Sequence, residues 1–180
     1  MRKSVQFLLL FLMCISASWT WASDAPERTV LFNMGDYDSQ YWRIPALVTA
    51  ADNSLVAVVD KRGSSLGDLP NTISIMSRRS TDNGKNWSEP VVVAQGGNGK
   101  TYGDPAVVLD KKTGNLICMF VGDQGLWNAT PYNRQGIYVS KSTDNGVSWS
   151  EPVAITDQVY ANHSLSLIHI SEPTRPLYIS

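Results

Sequence analysis

The sequence predicts an all-β chain made of repeated four-stranded units, the architecture of a β-propeller. Three observations carry that reading. A twelve-residue segment occurs twice, short apolar runs are bounded by turn dipeptides, and no stretch sustains a 3.6-residue apolar stripe over three turns. The repeated segment runs from Ser80 to Val91 and again from Ser142 to Val153, and only the two residues before its Trp differ. The copies open 62 positions apart. Pro45-Ala46-Leu47-Val48 recurs at nearly that offset as Pro105-Ala106-Val107-Val108.

Within the first unit, strands are expected over Ala46–Thr49, Ser54–Asp60, Thr72–Arg79 and Val91–Ala94. The third run alternates, with Ile73 and Ile75 on one face and Ser74 and Met76 on the other. Asp52-Asn53 and Gly114-Asn115 mark turns. Asp82-Asn83-Gly84 and Asp144-Asn145-Gly146 mark hairpins, because Asn and Gly tolerate positive φ. The Ser-x-Asp-x-Gly-x-x-Trp pattern around them is read as a structural turn. Its Asp accepts backbone N–H groups, its Gly takes the left-handed position, and its Trp packs beneath the hairpin. A calcium loop would need three oxygen ligands at alternate positions and a later Glu. Arg78 and Arg79 are read as solvated or packed strand residues.

Composition bounds the function. Of 180 residues, 43% are hydrophobic and 17% charged, so a core can form and the chain is not disordered. The 15 basic residues against 16 acidic ones exclude nucleic-acid binding by bulk charge. Cys14 and Cys118 are the only cysteines, which leaves no disulfide framework and no zinc cluster. No cofactor is implied.

The ends differ from the middle. Arg2 and Lys3 precede the nine-residue apolar run Phe7–Ile15, which is too short to span a bilayer. Thr20-Trp21-Ala22 then offers small residues at the two positions that a signal peptidase reads. Residues 1–22 are therefore expected to be an export signal, with cleavage after Ala22 and no stable membrane span in the mature chain. The mature product is expected in the periplasm, at the cell surface or outside the cell. Residues 164–180 contain no Gly or Asp and none of the turn motifs. This segment resembles a translated sequencing-adapter read, and the blades are expected within residues 23–163.

Two such turns after Trp42-Arg43-Ile44-Pro45 complete a pattern. The chain resembles the secreted bacterial-type exo-sialidases (neuraminidases), which carry Phe/Tyr-Arg-Ile-Pro ahead of repeated Asp-boxes. Trp42 departs mildly from that motif. The resemblance covers roughly residues 30–160 and implies a six-bladed β-propeller, of which about the first two blades are present. It implies hydrolysis of terminal α-linked sialic acids with retention, and sialylated glycoconjugates as partners. A trans-sialidase would use the same residues. A non-catalytic Asp-box propeller binding glycan or protein is the rival from another class, and it would not need Arg43, Arg62 and Asp68 in register.

The site residues follow from the resemblance. Arg43 matches the first of three arginines that grip the sialic acid carboxylate. Asp60-Lys61-Arg62 matches an Asp-x-Arg whose Arg62 contacts the sugar near its C4 hydroxyl. Asp68, in a Gly/Ser-rich loop, matches the general acid/base. Asp104, in Tyr102-Gly103-Asp104-Pro105, matches an Asp that binds around C4 and the N-acetyl group. Trp127 is assigned to the N-acetyl methyl by loop position alone. Taken singly, each has a plainer reading. Arg43 could pair with an acid at a strand start, and Asp68 could be a turn residue. Arg62 and Asp104 could pair between blades, and Trp127 could be packing. The nucleophilic Tyr, its Glu and the other two arginines belong to later blades of the family. No Tyr or Glu here sits in a matching segment, so this chain is expected to be inactive alone.

Overall fold

A computed structural model describes residues 28–63 and 65–160. The expected export signal and the segment 164–180 lie outside these residues. Eight strands form two four-stranded antiparallel sheets in meander order. The first holds β1 (Tyr41–Thr49), β2 (Leu55–Arg62), β3 (Ile73–Ser80) and β4 (Val91–Ala94). The second holds β5 (Tyr102–Leu109), β6 (Leu116–Gly122), β7 (Gly136–Ser142) and β8 (Val153–Ala154). The second sheet therefore repeats the first, as the twofold sequence repeat requires. A five-residue helix, α1 (Thr156–Tyr160), follows β8, and a 3₁₀ turn at Asp36–Asp38 precedes β1. Neither has an apolar stripe long enough to be read from sequence. Among the described residues, no helix is long and apolar enough to cross a membrane.

Strand β1 starts five residues before the expected Ala46. Pro45 reads as a strand break because it cannot donate to the ladder. The chain accommodates it in a bulge instead, where the β1–β2 register shifts between Arg43 and Ala46. Strand β5 repeats the device, with a shift between Gly103 and Ala106 at Pro105. The residue before each proline has positive φ, 52° at Ile44 and 55° at Asp104. An Asp tolerates that conformation, whereas a β-branched Ile is strained there. Strand β2 also runs past the expected Asp60 to Arg62, which brings the Asp-x-Arg onto the sheet.

The core lies between the two sheets. Val58, Ile75, Val93 and Ala94 of the first pack against Tyr102, Cys118 and Phe120 of the second. Burial removes the apolar area of these side chains from water at about 25 cal/mol per Å². Ser74 and Met76, on the opposite face of β3, are buried as well. The alternation along β3 thus sorts residues between two covered faces, not between core and solvent.

The two hairpins form as expected. Asn83 and Gly84 have φ of 59° and 86°, and Asn145 and Gly146 have 60° and 86°. In the first turn, the Asn86 N–H donates to Asp82 Oδ1 at 2.9 Å and the Gly84 N–H to Ser80 Oγ at 2.8 Å. In the second, the Ser148 N–H donates to Asp144 Oδ1 at 2.9 Å and the Gly146 N–H to Ser142 Oγ at 2.8 Å. Donation from the Asn86 backbone and side chain holds the Asp82 carboxyl down at about 2. The two tryptophans differ. Trp87 Nε1 donates to Gly84 O in its own turn, whereas Trp149 Nε1 donates to Ser77 Oγ of the other sheet at 2.9 Å. Arg78 and Arg79 are packed strand residues: Arg78 lies over the Phe32 ring and Arg79 pairs with Asp52.

Candidate active site

The site is built at the end of the sheets where β2 and β6 finish. Residues i and i+2 of a strand share a face. Asp60 and Arg62 therefore point together towards the second sheet. Both are buried, at 0% and 1% exposure. Arg62 donates from Nε and Nη2 to Asp60 Oδ2, at 3.2 and 2.8 Å. Its Nη1 faces Asp68 Oδ1 at 2.7 Å and the carbonyls of Leu66 and Gly67 at 2.9 and 3.0 Å. One guanidinium thus shapes the loop that carries Asp68.

Arg43, on the bulged part of β1, reaches the same loop. Its Nη1 donates to Leu66 O at 3.0 Å and lies 3.6 Å from Asp68 Oδ1. The Arg43 and Asp68 side chains are 41% and 57% exposed, so both remain open to a ligand. Asp104 enters from the second sheet. Its backbone N–H donates to Asp60 Oδ1 at 3.1 Å, and its side chain is exposed. Arg43, Arg62 and Asp68 therefore share one cluster, and Asp104 joins it through Asp60.

Trp127 stands apart. It is 82% exposed, on the loop between β6 and β7, and packs against no core cluster among the described residues. That loop does border the site. A Cβ added at Gly125 would lie 2.7 Å from Leu69 Cβ, so only glycine lets the loop approach residues 65–70. Asp60 is the residue whose part the sequence did not reveal. The signal was present in its i, i+2 spacing from Arg62, which puts an acid beside a base on one strand face.

Burial is the largest influence on Asp60. It pushes the carboxyl up to about 6 despite the hydrogen bonds and charge of Arg62, which act the other way. Burial also works against the Arg62 cation, but Asp60 and Asp68 outweigh it and hold its pKa above the ordinary value. The cluster can receive an anion at the exposed Arg43 guanidinium and exchange a proton at the exposed Asp68 carboxyl. Among the described residues, no group of three or more His, Cys, Asp or Glu is arranged to hold a metal ion.

Comparison with known proteins shows the family. The BNR repeat-like domain family matches residues 44–171. A sialidase of Bacteroides fragilis is 34% identical over 144 residues, which is 69% of this chain and 26% of that protein. A sialidase of Micromonospora viridifaciens is 35% identical over 128 residues, covering 64% of this chain and 20% of that protein. Among solved structures, the Hadza microbial sialidase Hz136 superposes with a TM-score of 0.62 at 32% identity, over 69% of this chain and 28% of that one. A leech intramolecular trans-sialidase shares the fold, with a TM-score of 0.65 at 15% identity over 75% of this chain and 38% of that one. The two sheets are thus blades of a β-propeller, and the chain spans about a quarter of the length of the first curated relatives. It belongs to the BNR repeat-like domain family and is a relative of the bacterial sialidases.

Proposed function

We propose that the full-length protein carrying this segment is an exo-α-sialidase that releases terminal sialic acids from glycoconjugates with retention. One observation carries the reading: two arginines from neighbouring strands converge on the loop of a single exposed aspartate. Sialic acid bears a carboxylate on its anomeric carbon. A guanidinium holds such a group in a planar fork, at roughly 1.5–3 kcal/mol per charge-assisted hydrogen bond. Arg43 is the open guanidinium and takes that part. A carboxylate nucleophile would be repelled by the substrate's own carboxylate, which favours a Tyr nucleophile, supplied with its Glu by later blades. The departing alcohol needs a proton. Asp68 supplies it and then takes one from the incoming water, a service worth about 10²–10⁴ in rate. Arg62 is too buried for a broad contact with the sugar, and its part is chiefly to present Asp68. Asp104 and Trp127 border the space where the C4 and N-acetyl substituents would lie.

Incubating the full-length protein with sialyllactose tests the reading. Free sialic acid should appear, first as the α-anomer by proton NMR. No release from sialyllactose or from a fluorogenic sialoside, with glycan binding intact, would favour a non-catalytic propeller. The trans-sialidase among the structural neighbours supports a second reading, transfer within the sugar or to another glycan. An anhydro-sugar or a sialylated acceptor as sole product would establish it. Export is part of the same proposal. The basic start, the apolar run and Ala22 support it, and the secreted protein should begin at Ser23 by N-terminal sequencing. A start at Met1 would refute it.

A further inference from the structure

We propose that Asp60 is a positioning residue that holds Arg62 and Asp68 of one blade and Asp104 of the next in a single fixed array. The inference rests on the sialidase reading for its kinetic consequence but not for its geometry.

The two oxygens of Asp60 divide the work. Oδ2 accepts Nε and Nη2 of Arg62, which fixes the guanidinium plane and turns Nη1 towards Asp68 and the carbonyls of Leu66 and Gly67. Oδ1 accepts the Asp104 N–H, at the bulge where Asp104 has a φ of 55°. That bond links residues 44 positions apart and crosses from one blade to the other. A buried carboxylate with both oxygens occupied can hold its partners at fixed separation without touching a ligand itself.

The repeat shows that this pair is not needed to build a blade. Tyr41 pairs with Arg62 across the first sheet, and Tyr102 pairs with Gly122 at the same place in the second. Gly122 thus stands where Arg62 stands, and Phe120 stands where Asp60 stands. Phe120 there simply joins the apolar core. The second blade forms the same four-stranded ladder with an apolar residue and a glycine at positions that the first fills with a buried ion pair. Replacing such a pair by apolar groups is often neutral or stabilising, so stability does not explain its presence. Its neighbours do: every other partner in the network is a candidate site residue or part of the Asp68 loop.

The test uses Asp60→Asn in the full-length protein. The amide keeps the shape, but its Nδ2 can only donate. Whichever way it sits, either Arg62 or the Asp104 N–H loses its acceptor. Deuterium exchange should rise locally in two peptides, spanning 65–71 and 102–109, with little change elsewhere. kcat/KM on sialyllactose should fall on the order of 100-fold, the scale of a 1 Å misplacement. Asp68→Asn added to Asp60→Asn should cost less than the product of the single losses, because both act through one group. If Asp60→Asn does not fold, Asp60→Leu with Arg62→Met replaces it. That variant should fold, as the second blade does, and show the same two-peptide rise. Unchanged exchange in both peptides, a uniform rise across the protein, or multiplicative losses would overturn the proposal. If the wild type does not turn over sialosides, the sialidase reading fails, and the exchange result alone still decides the part of Asp60.

Discussion

Replacing Arg62 by Met removes a buried cation and strands the carboxylate behind it. The two side chains are 1% and 0% exposed, so water cannot take over the lost pairing. Removing one partner of a buried ion pair costs about 3–5 kcal/mol. The cost should depend on pH in a defined direction. Burial already pushes Asp60 from its ordinary 3.8 up to about 6 with Arg62 beside it, and without Arg62 it must rise further. A carboxyl raised in the folded state binds more protons there than in the unfolded chain. Its favourable contribution is therefore complete below about pH 4 and lost as pH rises through the folded value. In the wild type that loss ends near pH 6, whereas in Arg62→Met it continues to higher pH. At pH 8 the variant should be destabilised by the full few kcal/mol. At pH 5, where Asp60 is neutral, the cost should fall to about 1–3 kcal/mol for unmade hydrogen bonds. Urea midpoints from tryptophan fluorescence of the full-length protein at the two pH values would measure this. Adding Asp60→Leu should recover most of the loss at pH 8. Equal destabilisation at pH 5 and pH 8, or no recovery in the double variant, would refute the reasoning.

Three further outcomes follow from the geometry. Trp149→Phe removes the Nε1 bond to Ser77 Oγ between the sheets and should cost about 1–3 kcal/mol by denaturation, because Ser77 is fully buried. Ser77→Ala made in the same background should add almost nothing, whereas additive losses would show that the bond is not shared. Gly146→Ala should destabilise more than Gly84→Ala in thermal melts. Both glycines have a φ of 86°, but only the new Cβ at 146 would meet Val56, at 2.8 Å, while the one at 84 has room. In a steady-state assay, Arg43→Ala should raise KM and also lower kcat, since a grip on the substrate carboxylate acts in the ground state and in the transition state; a change in kcat alone would remove it from that part.

Much of the fold was legible because its devices are local. The Asp-Asn-Gly turns announce themselves through residues that tolerate positive φ, and two near-identical copies set the blade repeat. The start of β1 was harder to place, because a proline normally ends a strand, and only the register shift between Arg43 and Ala46 shows that it sits in a bulge. The site was legible where a residue type at a fixed spacing carries it, as in Arg43-Ile44-Pro45. Asp60 was hidden because its importance lies in contacts with Asp104, far along the chain, and with a guanidinium whose direction only the folded strand fixes. The exposure of Trp127 was equally invisible, since loop position says nothing about which way a ring faces.

Two substrates in one assay test Asp68 as the proton donor most directly. A natural sialoside such as sialyllactose loses an alcohol that needs the proton, while an aryl sialoside loses a phenol that leaves with little help. Asp68→Ala in the full-length protein should lower kcat/KM on sialyllactose by at least about 100-fold and on the aryl substrate by less than about tenfold. Equal losses on both substrates would remove Asp68 from the part of proton donor.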